Sequence, residues 1–246
     1  MLEALQRRAH QFTAARLKLP QLRLSDRHGH ALIHQVRANG WTFLSYGALY
    51  DLYARVRAVE ERNLPGVLVE AGTARGGSAI VMAYAKAASR PLQVYDAFGM
   101  IPPPSDRDGQ DAHDRYREIV EGRAKGVGQA DYYGYDADLL AAVQANFQQA
   151  GIDLAAAHVG LVKGLYAETL RIDAPVALAH LDCDWYDSVI TCLTQIVPNL
   201  VPGGWLVVDD YFDWSGCRRA VDDYFGGKRQ DFNFVIRSRL HIQRRG

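Results

Sequence analysis

The sequence predicts a doubly wound α/β domain, with a mostly parallel seven-stranded sheet behind an N-terminal helical extension. Two observations lead there. From Gly66 onward, short apolar runs alternate with longer helical stretches, the pattern of a parallel sheet with helices on both faces. Runs such as GVLVEAG and GGWLVVDDY are apolar for several residues and end in turn residues or acids, as strands buried on both faces do. A length of 246 residues is enough for one such domain with a modest extension.

Residues 1–60 read as helices. In LSYGALYDLYARVRAVEER, Tyr46, Leu49, Leu52, Tyr53 and Val56 recur at helical intervals. This extension is expected to serve as a lid or an oligomer arm. The sheet domain is expected over 61–246. Its strands are GVLVEAG, LQVYDAF, HVGLVKG, VALAHLDCD and GGWLVVDDY, with FNFVIRS and LHIQRR as a terminal pair. Helices are expected in GGSAIVMAYAKAAS, in DLLAAVQANFQQAG with Gly151 as its stop, and in AVDDYFGG. The segment from about 99 to 138 is rich in Pro, Gly and Asp. It is too long for an ordinary connection and reads as a lid-like insertion with short helices of its own.

Composition narrows the function. Lys+Arg and Asp+Glu both number 28, for a formal net charge of +0, so no basic excess points to nucleic acid or an acidic membrane. No apolar run reaches the roughly 18 residues of a spanning helix. The N-terminus lacks the apolar stretch of a secretory signal. Three cysteines, Cys183, Cys192 and Cys217, form neither a disulfide framework nor a zinc spacing, and a reducing cytoplasm is the simplest setting.

Ligands of doubly wound sheets bind beyond the carboxyl ends of the strands. The first strand ends in Glu70-Ala-Gly72-Thr-Ala-Arg75-Gly76-Gly77-Ser78, where glycines allow a tight turn and close approach to a ligand. The spacing is not G-x-G-x-x-G, which weakens a dinucleotide reading. Asp96 ends the second strand about twenty residues on, the usual place for a ribose-binding acid. The fourth strand ends in Asp182-Cys183-Asp184 and the fifth in Asp209-Asp210. One helix and one strand separate them, so the two tips are expected to be adjacent. Carboxylates converging there repel one another without a counter-cation, and oxygen ligands suit Mg²⁺, Mn²⁺ or Ca²⁺. The plain alternative is that Asp209 or Asp210 caps the next helix. His28, His30 and His34 read as solvated residues of a polar loop. Tyr132, Tyr133 and Tyr135 either clamp a substrate ring or pack the insertion. Arg218 and Arg219 either reach an acidic group or lie on the surface.

Together these stretches resemble the macrocin O-methyltransferase family, which methylates sugar hydroxyls in macrolide and aminocoumarin biosynthesis. The resemblance runs from about Thr42 to about Phe225, through LVEAGTARGGSAIVMA, VYDAFGMIPPP, LVKGLYAETL, LAHLDCDWYDS and PNLVPGGWLVVDDYFDWSGCRRAVDDYF. It implies a class I methyltransferase fold, S-adenosylmethionine as cofactor and Mg²⁺ (or Mn²⁺) as metal. Glu70, Gly72, Arg75, Gly76, Gly77 and Ser78 are then expected around the methionine part of the cofactor, Asp96 at the ribose, and Lys163 and Gly164 near the adenine. Asp182, Asp209 and Asp210 become the metal ligands, with Asp182 or Asp184 as the base. A small-molecule hydroxyl acceptor, a glycoside, is implied, as is a homo-oligomer. The family's D-S-F-x-G-L-P becomes Asp96-Ala97-Phe98-Gly99-Met100-Ile101-Pro102, and its D-G-D-x-Y-E-S becomes Asp182-Cys183-Asp184-Trp185-Tyr186-Asp187-Ser188. The acids survive, while the bulkier Cys183 and Trp185 are expected to reshape the acceptor pocket. Two other readings share the glycine turn and Asp96. One is a nicotinamide-dependent oxidoreductase, which leaves the acidic tips unexplained. The other is a non-catalytic cofactor-binding scaffold, which has no need of them.

Overall fold

A computed structural model describes residues 2–128 and 130–246. Helices α1 (Leu2–Thr13), α2 (Leu19–Ser25), α3 (Arg27–Ala38) and α4 (Tyr46–Glu61) come first, with a π-helical stretch at Ala14–Lys18 joining α1 to α2. Strands and helices then alternate: β1 (Val67–Ala71), α5 (Gly77–Ala85), β2 (Leu92–Asp96), α6 (Gln110–Val120), α7 (Leu139–Gln149) and β3 (Val159–Lys163). There follow α8 (Tyr166–Thr169), β4 (Val176–Leu181), α9 (Tyr186–Ile196), β5 (Leu200–Val208), α10 (Ser215–Phe225), β6 (Phe232–Ile236) and β7 (Leu240–Arg244). The sheet runs β3-β2-β1-β4-β5-β7-β6. β1 to β5 are parallel, and β7 joins β5 antiparallel with β6 on its far side. The chain builds outward from β1 in one direction and then crosses to β4, so a crevice opens between the tips of β1 and β4. No helix among the described residues is long and apolar enough to cross a membrane.

Two apolar layers sandwich the sheet. On one face α3, α4, α5 and α7 bury Ile33, Leu49, Leu52, Ile80 and Phe147 against Leu68, Leu92 and Leu178. On the other, α9 and α10 bury Leu193, Ile196 and Phe225 against Val69, Ala179 and Leu206. Neighbouring residues along β1 and β4 therefore face opposite layers, the period of two that a strand imposes. The first helices belong to this packing: Leu19, Leu22, Ile33 and Val36 lie in the first layer.

The histidine segment is helix rather than polar loop. His28, His30 and His34 lie on α3, with His28 and His34 exposed and His30 half-buried. The reason is Asp26, whose Oδ1 accepts from the Gly29 N–H at 2.8 Å and caps the helix. Tyr53 and Tyr84 also donate to it, at 2.6 and 2.8 Å, tying α3 to α4 and α5. Burial works against the Asp26 charge, but these three hydrogen bonds outweigh it and hold its pKa below the usual value. Asp26→Ala is expected to cost about 2 kcal/mol, the upper end for a lost cap. Because the folded pKa is lowered, that contribution is present above about pH 4 and is lost as the pH falls through the folded value. Urea unfolding of both proteins at pH 7 and pH 3 measures it: the gap between them should narrow at pH 3.

Candidate active site

A cavity of about 480 Å³ opens over the carboxyl ends of the parallel strands. Gly72, Asp96, Gly164, Asp182 and Asp209, one from each tip of β1, β2, β3, β4 and β5, all line it. Backbone bonds bring these tips together: Gly72 N–H donates to Tyr95 O at 2.9 Å, Gly164 N–H to Asp96 O at 3.0 Å, Asp182 N–H to Ala71 O at 2.8 Å and Asp209 N–H to Leu181 O at 2.9 Å. Gly72 has a φ of +85°, and a Cβ there would stand 1.8 Å from the Asp182 carbonyl oxygen. Only glycine lets β1 and β4 meet this closely.

At the β1–β2 end, Asp96 is buried, with Oδ2 accepting from the Thr73 N–H (2.8 Å) and Oδ1 from the Phe98 N–H (2.7 Å). Burial outweighs these bonds and pushes its pKa up to about 6. Each oxygen keeps a lone pair for a further donor. Ala74 also lines the cavity, while Arg75, Gly76, Gly77 and Ser78 lie outside its wall. Gly76 and Gly77 start α5, and a Cβ on Gly77 would stand 2.8 Å from Trp41 O and Thr42 Cβ; Ser78 is buried beside them. Arg75 donates to Asp136 at 2.8 Å and to the Asp131 carbonyl at 3.3 Å, which latches the 99–138 segment to the turn. Lys163 is exposed.

At the β4–β5 end, one carboxylate oxygen each from Asp182, Asp209 and Asp210 lie within 4.8 Å of one another. Burial and mutual repulsion push Asp182 and Asp210 well above the usual carboxylate range. Burial also disfavours the Asp209 charge, but the Arg239 guanidinium and His180 hold its pKa at about 2. Arg239 Nε donates to Asp209 Oδ1 at 2.5 Å. Three crowded carboxylates, Asp182 half-buried and Asp209 and Asp210 buried, offering only oxygen, fit a hard divalent cation. Asp184 lines the same cavity outside this trio. Its φ is +54°, its N–H donates to Asp210 Oδ2 at 3.1 Å, and burial raises its pKa to about 6.

Glu70 lies beneath this floor. It is fully buried, accepts from Thr73 Oγ1 at 2.8 Å and contacts His180 Nδ1 at 2.8 Å. The other ring nitrogen, Nε2, has no hydrogen-bond partner and faces Asp209 at 3.8 Å. Burial opposes a charge on His180, but Asp209 and Glu70 outweigh it and hold its pKa at about 10. A buried salt bridge thus links the β1 tip to the acidic end.

The 99–138 segment forms the remaining wall with Ile101, Pro102, Arg115, Ile119, Tyr132 and Tyr133. Tyr132 and Tyr133 face the cavity, whereas Tyr135 packs the segment and donates to Ile119 O at 2.7 Å. Trp185 and Trp214 meet edge to face, centroids 5.4 Å apart, and Trp185 Nε1 donates to Pro102 O at 2.9 Å. Asp108 accepts from the Tyr186 N–H at 2.7 Å and the Ser105 N–H at 2.9 Å, pinning the segment to the start of α9. Arg218 and Arg219 are exposed, the first near Glu3 and Asp222 and the second near Asp223.

Sequence reasoning passed over His180, Arg239, Asp108 and Trp214. His180 had a signal: it precedes Asp182 by two residues on one strand, so the two share a face. Arg239 had none, because its place depends on β7 returning antiparallel beside β5.

The macrocin-O-methyltransferase (TylF) family model matches residues 26–232. The 8-demethyl-8-(2,3-dimethoxy-alpha-L-rhamnosyl)-tetracenomycin-C 4'-O-methyltransferase of Streptomyces olivaceus is 34% identical over 192 residues, 75% of this chain and 67% of that one. The demethyldecarbamoylnovobiocin O-methyltransferase of Streptomyces niveus is 31% identical over 198 residues, 76% of this chain and 68% of that one. The solved structure of the O-methyltransferase NovP superposes with a TM-score of 0.69 at 25% identity, covering 86% of this chain and 88% of that one. These matches leave no place for the oxidoreductase or scaffold readings. With the tips of five parallel strands gathered around one cavity, the chain belongs to the macrocin O-methyltransferase family and is an S-adenosylmethionine-dependent O-methyltransferase.

Proposed function

We propose that this enzyme methylates a sugar hydroxyl of a small-molecule natural product or glycan, with Mg²⁺ or Mn²⁺ held by Asp182, Asp209 and Asp210. The observation that carries the reading is the convergence of these three carboxylates within 4.8 Å in the cavity that also contains Gly72 and Asp96. The relatives named above act on a rhamnosyl-tetracenomycin and on a novobiocin precursor, which supports a glycoside acceptor. When bound, the sulfonium cofactor supplies an electrophilic methyl group, and the cation acidifies the acceptor hydroxyl as a Lewis acid.

The chain's own residues do the rest. Asp96 accepts from the ribose hydroxyls, while Gly72 and Gly164 let the cofactor lie close to the strand tips. The remaining predicted contacts of the cofactor, Glu70, Arg75, Gly76, Gly77, Ser78 and Lys163, act around this core: Glu70 through His180, Arg75 by latching the insertion. Asp184 is the base in this reading. It lines the cavity next to Asp210, to which its own N–H donates, without belonging to the cation trio, whereas Asp182 belongs to the trio. The cofactor would supply the methyl group that the acceptor oxygen takes up, leaving as the neutral thioether, and Asp184 would accept the hydroxyl proton. Trp185 and Trp214 offer an apolar wall for the face of a sugar ring. The 99–138 segment closes over the cavity and excludes water. Residues 1–60 form a helical extension to a 61–246 catalytic unit, with self-association as a further role.

Calorimetric titration with S-adenosylhomocysteine, with and without Mg²⁺, followed by a screen of glycosides for Mg²⁺-dependent methylation, tests the reading. Turnover unaffected by exhaustive chelation would remove the cation from it. Asp184→Asn is expected to lower kcat by about 10²–10⁴-fold, the usual worth of a general base, with little change in KM. Wild-type kcat in that variant would assign the base elsewhere.

A further inference from the structure

The turn between β6 and β7, residues 237–239, stands where the first helices meet the acidic tips. Its central peptide is held from both sides. The Ser238 N–H donates to Asp51 Oδ2 of α4 at 3.1 Å, and the Ser238 carbonyl accepts from the Gln11 side chain of α1 at 3.3 Å. Asp51 is 2% exposed, and its Oδ1 lies 3.0 Å from His10 Nε2 of α1. The packing is close: a Cβ on Gly47 of α4 would stand 2.9 Å from Gln11 O and 3.2 Å from Ser238 Oγ. Val208 pairs with Leu240 in the antiparallel ladder, so the next residues outward, Asp209 and Arg239, face each other across the strands. That is why Arg239 Nε reaches Asp209 Oδ1 at 2.5 Å, with both residues buried. One turn earlier on α1, Arg7 grips the same region, donating to both oxygens of Asp213 at 2.8 and 3.0 Å.

The geometry points to a positioning role for this clamp: α1 and α4 fix the 237–239 turn so that Arg239 orients Asp209 toward the cation. The N-terminal helices are then part of the cation-binding machinery. The inference rests on the reading of Asp182, Asp209 and Asp210 as the cation site. A carboxylate on a strand tip rotates about two torsions. A guanidinium that is itself pinned removes that freedom through a charge-assisted hydrogen bond. Partners that orient a metal's ligands in this way are worth about 10–100-fold in metal affinity. A buried ion pair serving only the fold would leave cation and cofactor affinity to fall together.

The test is calorimetric titration of the full-length protein with Mg²⁺ in the presence of S-adenosylhomocysteine, with the cofactor product's own affinity measured alongside. Arg239→Gln is expected to weaken Mg²⁺ binding about tenfold or more and to leave S-adenosylhomocysteine affinity unchanged. Arg239→Lys, which keeps the charge, should recover part of the loss. Asp51→Asn should weaken Mg²⁺ in the same direction, and Gln11→Ala replaces it in the test should that variant not fold. Wild-type Mg²⁺ affinity in Arg239→Gln, tighter binding there, or a parallel loss of S-adenosylhomocysteine would each overturn the positioning role. Absence of Mg²⁺ binding by the wild-type protein would instead overturn the cation site, and the positioning role with it.

Discussion

Asp182→Asn and Asp209→Ala are each expected to abolish methyl transfer while S-adenosylhomocysteine still binds. The two ends of the cavity are built from different strands. Gly72, Asp96 and Gly164 come from β1, β2 and β3, and the acids come from β4 and β5. Removing one acid therefore leaves the cofactor end with its own hydrogen bonds, such as those from Thr73 and Phe98 to Asp96. Under the proposed reading, what is lost is the cation and its stabilisation of charge on the acceptor oxygen. That term is worth several kcal/mol, which at about 1.4 kcal/mol per decade is on the order of 10³-fold in rate. The measurement is single-turnover methylation with excess enzyme, paired with S-adenosylhomocysteine calorimetry. Full activity in either variant would sink the cation scheme. Loss of S-adenosylhomocysteine binding in both would mean that the two ends are not separable.

The two substitutions differ in one respect that the structure explains. Asp209 is the acid held by Arg239 and faced by His180, so its removal leaves the buried Arg239 guanidinium without its closest carboxylate, while His180 keeps Glu70. Leaving a buried charge uncompensated costs about 3–5 kcal/mol. Among the described residues no cation is hydrogen-bonded to Asp182, and repulsion from Asp209 and Asp210 outweighs the opposing influence of His180. Asp182→Asn thus removes repulsion as well as a ligand. Asp209→Ala should be the less stable of the pair, and Asp182→Asn no less stable than wild type.

Much of this arrangement was legible because it depends on local rules. Apolar runs ending in Gly or Asp mark parallel strands, and the topology then forces their tips together, so Asp96, Asp182, Asp209 and Asp210 could be grouped from the sequence alone. What escaped depends on tertiary placement. The α3 helix was hidden by its His-rich, weakly apolar start, and it is secured by Asp26 through two tyrosines distant in sequence. Glu70 sits in a motif that suggests cofactor contact, yet its side chain turns to His180, its lateral partner in the β1–β4 register. Arg75, in the same motif, faces Asp136 in the insertion. A strand-end motif fixes where the backbone goes; the partner of each side chain is set by whatever the neighbouring strand places beside it.

Gly72→Ala should damage both ends of the cavity at once, where each acid substitution damages one. The added Cβ would stand 1.8 Å from the Asp182 carbonyl oxygen and 2.7 Å from its carbon. These are backbone atoms, so no side-chain rotation relieves the clash. The tips of β1 and β4 must separate, breaking the bond from Asp182 N–H to Ala71 O and drawing Asp182 away from Asp209. The φ of +85° adds strain for any residue with a Cβ, about 1–2 kcal/mol, to an overpacking cost of about 1–3 kcal/mol. Gly76 provides the contrast. Its φ is nearly the same, +87°, but the nearest atoms to a Cβ there belong to side chains, Val143 at 3.0 Å and Phe147 at 3.6 Å, which can move. Gly76→Ala should therefore lose about 1–2 kcal/mol from backbone strain alone. Gly72→Ala should lose about twice that, together with affinity for both Mg²⁺ and S-adenosylhomocysteine. Denaturant unfolding and two calorimetric titrations on each variant separate the cases. A Gly72→Ala protein that binds both ligands like wild type would show that the β1–β4 crevice tolerates opening, and that the two ends of the site are not held together by the close approach of these strands.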